Sequence, residues 1–163
     1  MEINELYLKT AFCCMACDGD IADEEVELVR QFTSSSKLFE GLDIEGQLNK
    51  YVAEINDKGH SFLAGYISNV VNAQLNEEQE LNLAKIAIKM IEADNKIEYS
   101  EISFFKRIRN KLNVTDEKLM DIFKDETLFE KFPEVKPEDF LLPDIKVNDD
   151  AEWNISIQNI ELK

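Results

Sequence analysis

The chain has 163 residues, a length typical of one domain, and 44% of them are hydrophobic, which excludes wholesale disorder. It carries 34 Asp and Glu against 18 Lys and Arg, so its formal net charge is -16. A chain this acidic repels phosphate groups, so we expect neither nucleic-acid binding nor adhesion to an anionic membrane. Its apolar runs are too short for a transmembrane helix and no signal peptide is recognisable, so we expect a cytoplasmic protein.

Apolar residues recur at helical spacing through the first 132 residues. Asn76 with Gln79 three residues later is a capping-box pattern, and Thr115 is a favourable N-cap. No segment in this range alternates as a strand would, so we expect an all-α fold, a compact bundle of about seven helices. The predicted helices cover about 5–17, 23–33, 44–56, 61–75, 76–93 and 100–112, and a seventh follows Thr115 through Leu119, Ile122 and Phe123.

The composition changes sharply after Phe132, because all three prolines lie within the next eleven residues. Proline removes a backbone donor and disfavours helix in the residue before it. We therefore predict a helical domain over 1–132 and an acidic, proline-containing extension over 133–163, in which eight acids face three lysines.

Two apolar islands stand out in this extension. One is Phe140-Leu141-Leu142-Pro143, and in the other Trp153, Ile155 and Ile157 alternate as in a strand. The pattern indicates docking, either on the helical domain or on a partner, and leaves both open.

A motif recurs at a spacing of 76 residues, as small–Asp–(Gly/Asn)–x–Ile–x–x–x–Glu. We call residues 17–25 the first corner and residues 93–101 the second corner. Each copy predicts a helix, a sharp turn and a second helix. A positive φ suits the Gly or Asn, the Asp accepts backbone N–H bonds, the Ile turns toward the core and the Glu favours the next helix N-terminus. The residues are Asp18, Gly19, Ile21 and Glu25 in the first corner and Asp94, Asn95, Ile97 and Glu101 in the second.

The second half of an EF-hand calcium loop has the same pattern. That loop also needs oxygen ligands at its first and third positions, because calcium prefers six to eight oxygens. These positions hold Cys14 and Ala16 in the first copy, and Met90 and Glu92 in the second. The sequence therefore favours helical corners over complete calcium loops.

The paired motif resembles the signature of TerB-like proteins, a tellurite-resistance-associated family. It reads Met15-Ala16-Cys17-Asp18-Gly19-Asp20-Ile21 with Glu25, echoed by Ile91-Glu92-Ala93-Asp94-Asn95-Lys96-Ile97 with Glu101. The resemblance covers about residues 5–125. It implies a bundle of about seven helices built as a pseudo-repeat, a role in bacterial stress and tellurite-resistance systems, and metal binding by acidic clusters at the motif. The second copy departs from the pattern at Asn95 and Lys96.

The acidic first corner is the candidate metal site. Carboxylate oxygens suit calcium, magnesium or manganese, and the candidate ligands are Asp18, Asp20, Glu24 and Glu25. The alternative is that two of these carboxylates organise the turn while the others are solvated. In the second corner Lys96 supplies a competing cation, which favours this alternative there.

The remaining reactive residues favour structural interpretations. Cys13, Cys14 and Cys17 lie near a helix end, where the dipole disfavours a thiolate, and they are too few for a zinc site, so we expect them to be buried. His60 is expected to be a loop histidine without a catalytic role. The basic residues Lys106, Arg107, Arg109 and Lys111 are expected on a solvated helix face, with an acidic partner or the chain's own extension as the alternative.

No arrangement of nucleophile and base is recognisable, so we do not expect an enzyme. The sequence predicts a TerB-like helical module that binds protein partners, with no certain cofactor and a divalent cation left open. The alternative is a divalent-cation sensor or buffer. The oligomeric state is not predicted.

Overall fold

A computed structural model describes residues 1–94 and 96–141, and within them the chain is helical without a strand, which confirms the all-α prediction. Asn95 and the segment with Trp153, Ile155 and Ile157 lie outside the described residues. The α-helices are α1 (Ile3–Met15), α2 (Asp23–Ser34), α3 (Ile44–Lys58), α4 (His60–Ala73), α5 (Glu77–Ala93), α6 (Tyr99–Arg109), α7 (Asp116–Lys124) and α8 (Leu128–Lys131), with 3₁₀ turns at Lys37–Phe39 and Pro137–Phe140.

Local capping chemistry fixes several helix starts. The predicted capping box of α5 is present: Asn76 N donates to Gln79 Oε1 at 3.0 Å and Gln79 N donates to Asn76 Oδ1 at 2.9 Å. Thr115 Oγ1 accepts from Lys118 N at the start of α7. As a result, the ends of the first six helices lie within three residues of their predicted positions.

Helix α1 is the centre of the bundle and packs against α2, α3, α4, α5 and α6. The sequence pattern predicts one apolar stripe on this helix, but every residue from Leu6 to Met15 except Lys9 is buried, because neighbours surround it. Lys9 Nζ donates to Asn69 Oδ1 at 2.7 Å and lies 4.9 Å from the Phe62 ring centroid, so even this charge is partnered.

The hairpins α1–α2 and α5–α6 are the two copies of the repeat, and α1 packs on α5 more extensively than any other two elements pack. This contact brings the C-terminal ends of α1 and α5, and hence the two corners, to the same region of the bundle.

The hydrophobic core continues past Phe132. Phe140 is fully buried, and its ring centroid lies 5.4 Å from that of Phe105, 6.1 Å from that of Phe123 and 5.7 Å from that of Phe129. The beginning of the predicted extension is therefore packed on α6, α7 and α8. Helix α8 has only four residues, too few for a hydrophobic period to reveal it in the sequence.

In the part of the chain that the structure describes, no helix is both long and apolar enough to cross a membrane.

Candidate functional site: two acidic corners

The first corner connects α1 to α2 through a turn around Gly19, whose φ is +92°. Asp18 Oδ1 accepts from Asp20 N at 3.1 Å within the turn. Glu25 Oε1 accepts from Ala22 N at 2.8 Å and so satisfies a free amide at the start of α2. The two carboxylates thus organise the turn and the helix start.

The second corner repeats the helix start. Glu101 Oε1 accepts from Glu98 N at 2.8 Å, the same bond at the same distance as that made by Glu25. The residues before the two helices share an extended backbone, with φ and ψ of -90° and 158° at Ala22 and of -104° and 153° at Glu98. The motif therefore corresponds to one local structure used twice.

The hydrophobic residue of each motif, Ile21 or Ile97, is partly buried and packs against the core. Each therefore anchors its turn to the bundle. Lys96 does not reach the core, because its side chain is 72% exposed and its Nζ pairs with Glu98 Oε1 at 3.0 Å.

The two corners face each other across the α1–α5 contact. Cys17 Sγ, at the end of α1, donates to Ser100 Oγ, near the start of α6, at 3.8 Å, and both residues are buried. Carboxylates from both corners are close enough to repel one another. We call these the corner cluster, and its members are Asp18, Glu25, Asp94, Glu98 and Glu101.

Burial is the main cause of the raised pKa values in the corner cluster, and like charges add to it. Glu101 is 6% exposed, and burial, with the charges of Asp94, Glu98 and Glu25, raises its pKa to about 8. Burial also raises the pKa of Asp18 and of Glu25, although both are more accessible. These carboxylates are thus held together at an electrostatic cost that a proton or another cation would relieve.

The predicted metal ligands are spread over the first corner. Asp18, Asp20 and Glu24 are exposed, and Glu25 is directed to the Ala22 amide. Among the described residues, no three or more His, Cys, Asp or Glu side chains are grouped so that they could hold a metal ion. The geometry therefore gives the predicted ligand set no support.

His60 has a structural role that the sequence does not reveal. It is the first residue of α4, and a Cβ built on Gly19 would lie 3.0 to 3.2 Å from three atoms of its imidazole ring. Gly19 is therefore required both by its positive φ and by the ring packed against it. The contact joins α4 to the first corner.

The cysteines are core residues. Cys13, Cys14 and Cys17 are at most 4% exposed, and burial raises the pKa of all three thiols. They stay protonated at neutral pH and are poor nucleophiles and ligands. This agrees with the packing interpretation.

The expectation of a solvated basic face on α6 is wrong for Arg107, which is 2% exposed. This residue shares a helix face with Ser103 and Phe104, both of which are buried in the bundle. Arg109 is partly exposed and pairs with Asp116 at 2.5 Å. The four basic residues therefore do not form one surface.

At the other end of the repeat, Glu80 is a functionally placed residue that sequence analysis missed. It is 3% exposed, and its Oε1 accepts from Asn113 N at 2.7 Å and from Val114 N at 2.9 Å, which fixes the loop after α6. Asn4, 76 residues earlier, binds the loop after α2 by donating to Glu40 O at 3.1 Å. The spacing of 76 was the signal that could have linked these positions.

Comparison of the chain with protein-family models, with curated proteins and with solved structures finds no match in any of the three. The TerB-like resemblance therefore depends on the paired motif. What the structure adds is that the two copies share one helix-start geometry and lie side by side.

Proposed function

We propose that this chain is a non-enzymatic, TerB-like helical module that acts in the cytoplasm as part of a bacterial stress or tellurite-resistance system by binding a protein partner. The observation that carries the proposal is the convergence of the two motif copies on one acidic face. The matching bonds of Glu25 and Glu101 support the TerB-like resemblance on which the stress-system part depends.

Charge indicates the chemistry of the partner. Asp20, Asp23 and Glu24 are exposed beside the corner cluster, so the face presents carboxylates both at its surface and beneath it. Like charges held this close favour association with a surface that offers Lys or Arg, and they disfavour nucleic acid. We therefore expect a partner with a basic patch, and binding that weakens as salt is added.

The first test is genetic. Deletion of the gene in its own host should lower survival in tellurite, and the wild-type chain should restore it. The double variant Asp20→Asn/Glu24→Gln should restore it poorly. Glu40→Gln/Asp57→Asn is the matched control, because it neutralises two exposed acids away from the corners. Unchanged survival of the deletion strain would contradict the stress-system assignment.

The second test is binding of the partner recovered from that host. Asp20→Asn/Glu24→Gln should weaken its affinity about tenfold, which corresponds to about 1.4 kcal/mol, whereas the control variant should bind as the wild type does. Equal affinity of both variants would show that the corners are not the contact face.

A divalent-cation sensor is the alternative, and the raised pKa values of Asp18, Glu25 and Glu101 favour it, because a bound cation would offset their repulsion. An ion would have to draw additional carboxylates such as Asp20 inward. Thermal unfolding with calcium, magnesium, manganese or zinc tests this. An ion at a hundredfold excess over its dissociation constant should stabilise the chain by about 2.7 kcal/mol, and no shift with any ion would contradict the sensor function.

A further inference from the structure

A lysine-walled groove of about 470 Å³ lies between α5 and α7, away from the corners. Lys85 and Lys89 stand on its α5 wall and Lys118 on its α7 wall, above an apolar floor of Leu81 and Ile122. The volume lies in the range of pockets that accommodate a ligand of several ring or side-chain groups. In a chain of net charge -16, three lysines around one apolar groove are unusual.

The acids of this groove already have partners or lie at its edge. Glu126 Oε2 lies 3.1 Å from Lys89 Nζ, Asp121 Oδ1 lies 3.4 Å from Lys124 Nζ, and Lys118 pairs across the groove with Glu77. The cation that remains is Lys85, which is exposed and forms no ion pair within residues 1–94 and 96–141. The groove therefore offers an unpaired ammonium above an apolar surface.

The C-terminal segment starts close to this groove. Phe140 packs 6.1 Å from the ring centroid of Phe123, the residue that follows the groove residue Ile122 on α7. The described chain ends at Leu141, within about one helix diameter, or about 10 Å, of the groove. The twelve residues from there to Trp153 can span about 40 Å, so the segment can reach any part of it.

The segment has the complementary chemistry. Asp149, Asp150 and Glu152 directly precede Trp153, and Ile155 and Ile157 follow at alternate positions. Acids followed by apolar side chains match an ammonium beside an apolar floor. The acidic surface around the corners would repel the same segment.

We propose that the groove between α5 and α7 is a binding site for an acidic, tryptophan-containing peptide, and that the chain's own residues 149–157 occupy it. The carboxylates lie beside Lys85, and Trp153 covers Leu81 and Ile122. An internal ligand of this kind closes the groove until a competing acidic peptide displaces it. The inference is independent of the partner proposed for the corners.

Trp153 is the only tryptophan of the chain, so its fluorescence reports directly on the proposed contact. In the full-length protein we expect blue-shifted emission and strong protection from acrylamide, compared with the chain unfolded in urea. Lys85→Glu should lower the ratio of docked to free segment about tenfold and shift emission and quenching toward the unfolded values. Lys50→Glu is the matched control, since it makes the same charge change at an exposed position of α3 and should leave both readings unchanged.

Three results would overturn the proposal. Trp153 could be as accessible in the native chain as in urea, which would exclude docking. Protection could survive Lys85→Glu, which would place the segment elsewhere. Protection could disappear on dilution, which would make a second copy, and not the same chain, the occupant. Circular dichroism of each variant verifies that the helices are intact, so that loss of protection is not loss of fold.

Discussion

The two corners share their second half and differ in their first. Both begin the following helix with a glutamate that accepts from the backbone three residues earlier. The first corner leaves α1 through Gly19, with the His60 ring from α4 against it. In the second corner α5 continues to Ala93, and Lys131 Nζ of α8 donates to Glu92 O at 2.9 Å. The helix start is thus set by the motif, whereas the helix end depends on which other helix supports it.

Burial also separates the corners. Glu101 is 6% exposed, whereas Glu25 is only half-buried. Identical hydrogen bonds therefore hold carboxylates of unequal acidity, and the pKa of Glu101 is raised to about 8. One motif provides a scaffold in both places, but only the second copy holds a carboxylate that titrates near neutral pH.

The largest expected effect tests this inequality through pH. The pKa of Glu101 rises from 4.5 to about 8 on folding, so between these values the folded state binds more protons than the unfolded state. The contribution of Glu101 to stability is therefore complete below pH 4.5 and is lost as the pH rises toward 8. Relative to wild type, Glu101→Gln should gain about 1.4 kcal/mol per pH unit through this window, measured by urea unfolding.

Glu25→Gln is the comparison for that experiment. Its carboxylate is half-buried, so the pH-dependent gain should have the same sign and a smaller slope. Equal slopes for the two variants would show that the corners do not differ in burial.

The second expected effect concerns the opposite end of the repeat. Glu80→Ala removes a buried carboxylate that accepts two backbone hydrogen bonds and should destabilise the chain by about 3 kcal/mol. Asn4→Ala removes an exposed bond at the equivalent position of the first copy and should cost about 0.5 to 1 kcal/mol. Urea unfolding at neutral pH measures both, and a larger cost for Asn4→Ala would reverse the assignment.

The third expected effect tests the helix end of the first corner. Gly19→Ala forces an L-residue into a φ of +92° and places a Cβ against His60, so it should cost about 2 kcal/mol. Gly65→Ala is the matched control. It lies within α4 with nothing within 4 Å of the added Cβ and should stabilise the chain by about 0.5 to 1 kcal/mol. If both variants lose stability equally, the conformation of Gly19 is not special.

The smallest expected effect tests whether the corners meet. In a double-mutant cycle, Glu25→Gln and Glu101→Gln should be coupled by about 0.5 to 1 kcal/mol, because removing one charge reduces the repulsion felt by the other. Asp57→Asn with Glu101→Gln should be additive, since Asp57 lies on α3. An additive result for the corner pair would contradict their convergence.

Much of the fold could be predicted because its causes are local. Helical spacing of apolar residues, the capping box at Asn76 and Gln79, and the N-cap at Thr115 act within a few residues, and the structure confirms them. The repeat at spacing 76 also predicted that two helix starts would be alike. The short α8 and the burial of Phe140 could not be foreseen, because a single turn has no period and an isolated Phe does not reveal its partners.

The sequence by itself determined the helices, their caps and the duplicated corner motif, because neighbouring residues control backbone conformation. Only the tertiary structure decided that Glu25 and Glu101 share one cluster, that His60 lies against Gly19, and that Glu80 and Arg107 are buried. Each of these depends on contacts between residues far apart in the chain, and such contacts are set by how the helices pack.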